Sequence, residues 1–352
     1  MIIHLLLSEY MYKEKILLFF FLRLGYSGAI KREGDAMELS FAPMEGITYS
    51  IYRRLHARMF PGADRYFAPF IAPDSSGRFK AGSLRDVLPE NNAGLPLIPQ
   101  LLCNAPAPFL AVAEELRELG YEEVNLNTGC PSGTVYAKHK GAGMLRDLNA
   151  LDQILDSVCE QAQRLGMRIS VKTRMGDHST AEFPDILEVF NRYPLSRLIV
   201  HARCRDDFYQ GPPDLQGFRD AAGRCLCPLV FNGSITSPGS LDRLLNTVTV
   251  DAVMIGRGAV ADPALFRELS GGPPLAAEEL SVFLDRLTAR WLADGLGPAF
   301  TLERMKALWF YMKDLFPDAK SQIKAILKAK SLEEYRPAVS SLLCSSAPQP
   351  QR

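Results

Sequence analysis

The sequence predicts a (β/α)8 barrel followed by an all-helical C-terminal domain, and three observations lead there. Short apolar runs recur eight times from Leu39 onward. Segments with helical periodicity separate them. Polar residues, namely Glu45, Gln100, Asn127, Lys172, His201, Asn232 and Arg257, fall at or just beyond the ends of the runs. Strands alternating with helices pair in parallel through right-handed crossovers, and eight such units can close on themselves. An open doubly wound sheet is the alternative, but a barrel gathers all those polar ends around one mouth, where barrel active sites lie.

In order, the runs are Leu39 to Pro43, Arg65 to Pro69, Leu97 to Cys103, Glu123 to Asn127, Arg168 to Arg174, Arg197 to His201, Pro228 to Asn232 and Asp251 to Ile255. Pro106 to Leu119 reads as a helix opened by proline and closed by Gly120, and Leu148 to Leu165 as one closed by Gly166. The crossover from Ala72 to Pro96 is rich in Gly, Pro and Asn and is the weakest unit. After Gly272 the rhythm stops at Pro273-Pro274 and only helical patterns follow, to about residue 344, with 345–352 expected as a disordered tail. Residues 1–36 read differently. Ile16 to Leu22 is too short an apolar run for a membrane span, and strand-like sequence begins just after Met37, so 1–36 is expected to be an extension outside a barrel domain of residues 37–272.

With 352 residues, 47% hydrophobic and 23% charged, the chain can bury a large core and is neither disordered nor collagen-like. Lys+Arg and Asp+Glu are 40 each, so a polyanionic partner would need a local basic surface. Seven cysteines without paired spacing suit free thiols in a reducing compartment, and the cytoplasm is expected.

Two turns after the late strands carry glycines: Asn232-Gly233-Ser234 and Gly256-Arg257-Gly258. Barrels bind phosphate there, and a guanidinium suits a phosphate fork. Lys172 should point into the mouth and needs an anionic partner, whether a reduced flavin edge or a carboxylate; a Schiff-base lysine is also open. His201 could donate to a ring or a phosphate, or be a satisfied structural group. No metal site is expected, because the histidines are scattered and Cys225-x-Cys227 lacks a second pair. Cys130, framed by Gly129 and Pro131 just past a strand end, is placed on the active face, either as a nucleophile or as a thiol acid.

These residues together resemble the tRNA-dihydrouridine synthases, in particular their shorter bacterial branch. The resemblance runs from Leu39 to about Pro337. It rests on Ala42-Pro43-Met44-Glu45-Gly46, Asn127-x-Gly129-Cys130-Pro131-Ser132, Gly141-Ala142-Gly143-Met144-Leu145, Val171-Lys172-Thr173-Arg174, His201-Ala202-Arg203-Cys204-Arg205, Asn232-Gly233-Ser234-Ile235 and Asp251 to Gly258. It implies an FMN enzyme that takes reducing equivalents from NADPH and reduces particular uridines of tRNA. By position, Pro43, Met44 and Glu45 would line the flavin, Gln100 and Lys172 would contact its ring, and His201 would support the ring and phosphate side. Asn232, Gly233, Ser234, Gly256 and Arg257 would hold the phosphate. Cys130 would be the proton donor, with Asn127 beside the uracil and Arg174 and Arg203 toward the substrate. Cys204 stands where the family usually has threonine.

A uridine in folded RNA must be drawn out of its stack and its backbone held. Lys320, Lys324 and Lys328, at i, i+4 and i+8 of one candidate helix, and Lys138 in a basic loop are candidates for phosphate contacts; a solvated face is the other reading. Met305, Leu308, Trp309, Met312, Leu315 and Phe316 repeat at helical spacing as a packing face. A monomer and no membrane association are expected. Three alternatives compete: an FMN barrel that reduces a small pyrimidine or enone, a tRNA-binding protein without redox activity, and a phosphate-binding barrel isomerase without flavin.

Overall fold

The computed structural model of the chain describes residues 37–74 and 77–349, so the expectations for 1–36 and 350–352 lie outside the described residues. Among the described residues nine parallel strands are formed: β1 (Glu38–Phe41), β2 (Arg65–Phe67), β3 (Leu97–Ile98), β4 (Gln100–Leu101), β5 (Glu123–Thr128), β6 (Arg168–Gly176), β7 (Leu198–Cys204), β8 (Leu229–Asn232) and β9 (Ala252–Ile255). Their order is β3-β2-β1-β9-β8-β7-β6-β5-β4. The two end strands are halves of one expected run, parted at Pro99, which has no N–H to donate to a ladder. That run still closes the ring. Tyr66 and Ala68 of the β2 side donate to the Pro96 and Ile98 carbonyls, and Asn125 of β5 donates to the Pro99 carbonyl. The result is an eight-position barrel, as the sequence predicts.

The helix Pro106–Glu118 starts on proline and is followed by Gly120 at φ 92°, and Leu148–Arg164 is followed by Gly166 at φ 68°. At its start the Asp147 carboxylate accepts the Asn149 and Ala150 N–H groups, replacing bonds a first turn lacks. Between β2 and β3 the weak crossover holds a short helix, Ala81–Val87, and a single 3-10 turn, Pro89–Asn91. A buried ion pair pins it: Arg53 Nη1 lies 2.9 Å from Asp86 Oδ2, and its guanidinium also donates to the Thr48 and Asp86 carbonyls and to Asn92 Oδ1.

Side chains alternate along each strand. Phe41 faces outward onto His56, Tyr66 and Phe266. Ala42, Phe67, Ile98, Ile199, Val230, Ala252 and Met254 form a buried cluster inside the barrel. β6 and β7 are longer than expected, reaching Gly176 and Cys204, so Lys172 and His201 lie within strands and not at their ends. The physical reason is the same alternation. Lys172 and Arg174, like His201 and Arg203, are two apart and share the inner face near the mouth, where polar side chains on a strand look like the start of a loop.

Beyond Pro273 the helices are Ala277–Ala293, Pro298–Met312, Lys320–Lys328 and Leu332–Ser345. Met305, Leu308, Trp309, Met312, Leu315 and Phe316 are buried as the packing face, and Trp309 Nε1 donates to the Tyr335 hydroxyl at 2.8 Å. These helices belong to the same compact unit as the barrel, with Arg304 donating to the Gly46 carbonyl beside the mouth at 3.1 Å. Of the expected tail, 346–349 have no regular structure, yet Gln349 N–H bonds to the Leu315 carbonyl. Among the described residues no helix is long and apolar enough to cross a membrane.

Candidate active site

The loop after β5 is built to hold one thiol. Asn127 Oδ1 accepts the N–H groups of Gly129 at 3.0 Å and Cys130 at 2.9 Å. The Asn127 amide donates to Gln100, Gln100 to Asn125, and Asn125 to Ser170, a buried chain of side-chain bonds inside the barrel. Arg174 clamps the same loop, with Nε donating to the Gly129 carbonyl and Nη1 to the Cys204 carbonyl. Gly141 presses on Cys130 from the other side at φ 57°, where a Cβ would lie 2.8 Å from the Cys130 carbonyl oxygen. Only glycine fits there.

Cys130 is half-buried. Burial pushes its thiol above the ordinary value of 9.0, more than the Ser132 backbone bond and the Lys172 and Arg174 charges draw it down. The sulfur is therefore protonated at neutral pH, as a proton donor requires and an unassisted nucleophile does not. The Glu45 carboxylate, itself raised mainly by burial, is close enough to add to this. It accepts the Tyr49 hydroxyl at 3.0 Å.

Beside the thiol lies a well of positive charge. Burial first, then Arg174, lowers the half-buried Lys172 to about 7. His201 falls well below its ordinary value because it is buried and faces Arg174, Lys172, Arg203 and Arg257. It is a neutral imidazole whose Nε2 accepts from Arg203 Nη1 at 3.0 Å. Arg203 also donates to the Gln210 and Gly211 carbonyls and to Ser234 Oγ, tying the loop after β7 to the turn after β8. Arg174 acts on Lys172, His201 and Arg203, while its own chief electrostatic partner is Tyr209.

The two glycine turns meet beside this well. Asn232 Nδ2 donates to the Met254 carbonyl at 2.7 Å, holding β8 to β9. A Cβ on Gly233 would lie 2.5 Å from the Phe231 ring, too close without a shift of the ring, whereas one on Gly256 would lie 3.1 Å from Met44 Sδ, a tight fit that the methionine would have to yield to. Arg257 is half-buried, with Pro43 and Met44 on the β1 side of the same mouth.

The structure thus brings Cys130, Asn127, Gln100, Lys172, Arg174, His201, Arg203, Ser234 and Arg257 together. Gln100 is fully buried, with both ends of its amide engaged. Lys138 is exposed in the loop after Cys130, and Lys320, Lys324 and Lys328 are exposed on their own helix, spaced as expected. Tyr209 was not foreseen. Its ring lies 4.6 Å from the Arg257 guanidinium, 5.2 Å from that of Arg174 and 5.8 Å from the His201 ring. An aromatic pair beside Gln210-Gly211-Pro212 was the available signal, but the partners are far apart in sequence.

Among the described residues, Asp177, His178 and Asp206 bring three possible metal ligand atoms within 4.8 Å. They are already joined by hydrogen bonding and charge, with His178 Nδ1 2.7 Å from Asp206 Oδ2. A cleft of about 390 Å³ opens on the opposite, N-terminal face, lined by Arg65, Asn92, Glu123 and Arg168, away from the thiol and the cationic well.

Fold and mouth define a barrel enzyme of the kind that works at the C-terminal ends of its strands. The family description "Dihydrouridine synthase (Dus)" matches residues 40–290. The chain belongs to the dihydrouridine synthase family. It is 27% identical over 281 residues to tRNA-dihydrouridine synthase B of Pseudomonas aeruginosa, covering 77% of this chain and 83% of that one. With tRNA-dihydrouridine synthase B of Xanthomonas campestris pv. campestris it shares 28% over 290 residues, 79% of this chain and 85% of that one. Among solved structures, histamine dehydrogenase from Rhizobium sp. 4-9 superposes with a TM-score of 0.52 at 12% identity, over 66% of this chain and 45% of that one. That likeness shows the barrel fold alone.

Proposed function

We propose that this protein reduces uridines of tRNA to 5,6-dihydrouridine, with FMN held in the barrel mouth, NADPH as reductant and Cys130 as proton donor. The observation that carries the reading is a thiol whose loop is held through its backbone by Asn127 and Arg174, set beside the cationic side chains of Lys172, Arg174, Arg203 and Arg257 that surround His201. Such a cationic well fits an anionic ring edge and a phosphate, the two charged parts of FMN. Pro43, Met44, Lys172 and His201 would meet the ring, and the Asn232-Gly233-Ser234 turn, Gly256 and Arg257 the phosphate. FMN, once reduced by NADPH, would supply hydride to C6 of the uracil. The chain's own part is then to give the Cys130 Sγ proton to C5, where enolate character develops. Asn127 fixes the thiol loop, and Arg174 and Arg203 hold the loops on either side. The helices of residues 273–344 would carry the RNA, with Lys320, Lys324, Lys328 and Lys138 toward its phosphates.

Three expectations follow from this arrangement. Arg257→Ala removes charge-assisted bonds worth about 1.5–3 kcal/mol, so FMN affinity falls about 10- to 150-fold; flavin retained after dialysis measures it, and equal retention contradicts the phosphate assignment. The Lys172 shift fixes a pH dependence. An anion favours the charged amine, which is already present below about pH 7. Above that pH, binding takes up a proton, and FMN affinity falls by up to about tenfold per unit between pH 7 and 9. Fluorescence titration reads the slope, which Lys172→Met should abolish. Finally, changing Lys320, Lys324 and Lys328 together to Glu should weaken tRNA binding and lower the slope of log affinity against log salt by about 0.7–0.9 per lost phosphate contact. Filter binding at several salt concentrations decides it, and unchanged affinity and slope make these lysines a solvated face.

A further inference from the structure

The turn that follows β7 carries a feature the reaction does not explain. Phe208 holds φ 50°, a left-handed conformation that a bulky L-residue adopts at a free-energy penalty and glycine adopts freely. It is also 43% exposed, so burial does not compensate. The turn around it is tightly pinned. Arg205 N–H bonds to the Gly176 carbonyl, Asp206 N–H to the Asp177 carbonyl and Phe208 N–H to the Arg205 carbonyl, while Asp207 Oδ2 accepts the Cys204 N–H.

One side of the ring is taken. The Arg205 guanidinium stands between two aromatics, 4.1 Å from the Tyr136 centroid and 5.2 Å from that of Phe208, with Nη1 fixed by Asp206 at 2.7 Å. Arg146 lies 5.1 Å from the same Tyr136 ring. Tyr136 ends the helical turn that follows Cys130, and Arg174 links the Gly129 carbonyl to the Cys204 carbonyl, so this aromatic and arginine stack sits on the lip next to the thiol loop. An ordered, exposed aromatic ring backed by a guanidinium group is suited to stack on an unpaired nucleobase. Strain that persists in a pinned turn points to a side chain kept there for function, as at active sites and ligand clamps.

We propose that Phe208 stacks on a base of the RNA next to the uridine drawn into the mouth, with Tyr136 and Arg205 fixing the height and tilt of its ring. This rests on RNA being the substrate, and it assigns a part of the RNA surface to one residue. The nicotinamide of the reductant is the other aromatic ring that visits the mouth, and it is excluded or admitted by the same experiment.

The test compares FMN-loaded wild type with Phe208→Gly and Phe208→Trp. The glycine variant removes both ring and strain, so its melting temperature is expected to be no lower than wild type. Its kcat/KM on unmodified tRNA should fall about 5- to 100-fold, mostly in KM, the range of one lost base stack. The tryptophan variant should keep most of the activity. The rate of flavin reduction by NADPH should be the same in all three. Equal kcat/KM for Phe208→Gly and wild type overturns the proposal, as does an effect confined to the NADPH step, or a melting temperature that falls together with activity. Wild type that binds NADPH but reduces no tRNA faults the substrate assignment, while loss in the glycine variant of a working enzyme bears on Phe208 alone.

Discussion

Replacing Cys130 by alanine is expected to slow reduction of uridine by about 10²- to 10⁴-fold, the usual contribution of a positioned general acid. The loop should survive the change. Its hydrogen bonds to Asn127 and Arg174 all run through backbone groups of Gly129 and Cys130, and none uses the sulfur. FMN retention and NADPH oxidation should therefore stay at wild-type values. Single-turnover reoxidation of the NADPH-reduced holoenzyme by tRNA isolates the step. A rate within threefold of wild type would make Cys130 a structural residue. The pH profile gives a second signature: because burial raises this thiol, the tRNA step should hold through the ordinary thiol value of 9.0 and fall only above it.

Asp86→Ala should be among the most damaging single changes to the fold. Arg53 is fully buried, and the substitution leaves its charge without the carboxylate 2.9 Å away. Breaking one side of a buried pair is worth about 3–5 kcal/mol of stability. It also removes the acceptor of the Ser50 N–H at the start of the first helix after β1. Urea unfolding should show the loss. The pair Arg53→Met with Asp86→Leu, which removes both charges, should recover most of it. Asp86→Ala with a wild-type midpoint would mean that the crossover is held by other contacts.

The eight runs were legible because short apolar stretches recur between turn signals, and because Gly120 and Gly166 stop helices in a way no other residue does as readily. The ends of β6 and β7 were not. Their inward polar residues, Lys172 and Arg174 on one strand and His201 and Arg203 on the other, carry the same signal as a loop. Cys130 could be found from its glycine and proline frame. The tasks of Arg174 and Arg203 could not, since sequence reveals a charge but not that its donors go to the carbonyls of Gly129, Cys204 and Gly211. Pairs distant in the chain were invisible for the same reason: Arg53 and Asp86 are 33 residues apart, and Tyr209 meets Arg174 and Arg257 only once the barrel has closed.

The most direct test of the account is nucleoside mass analysis of unmodified tRNA incubated with the FMN-loaded protein and NADPH. Dihydrouridine, two hydrogens heavier than uridine, should accumulate at defined positions with wild type and stay near background with Cys130→Ala. A protein that binds FMN and oxidises NADPH, reduces a small enone or free uracil, and leaves every tRNA uridine unchanged would contradict it.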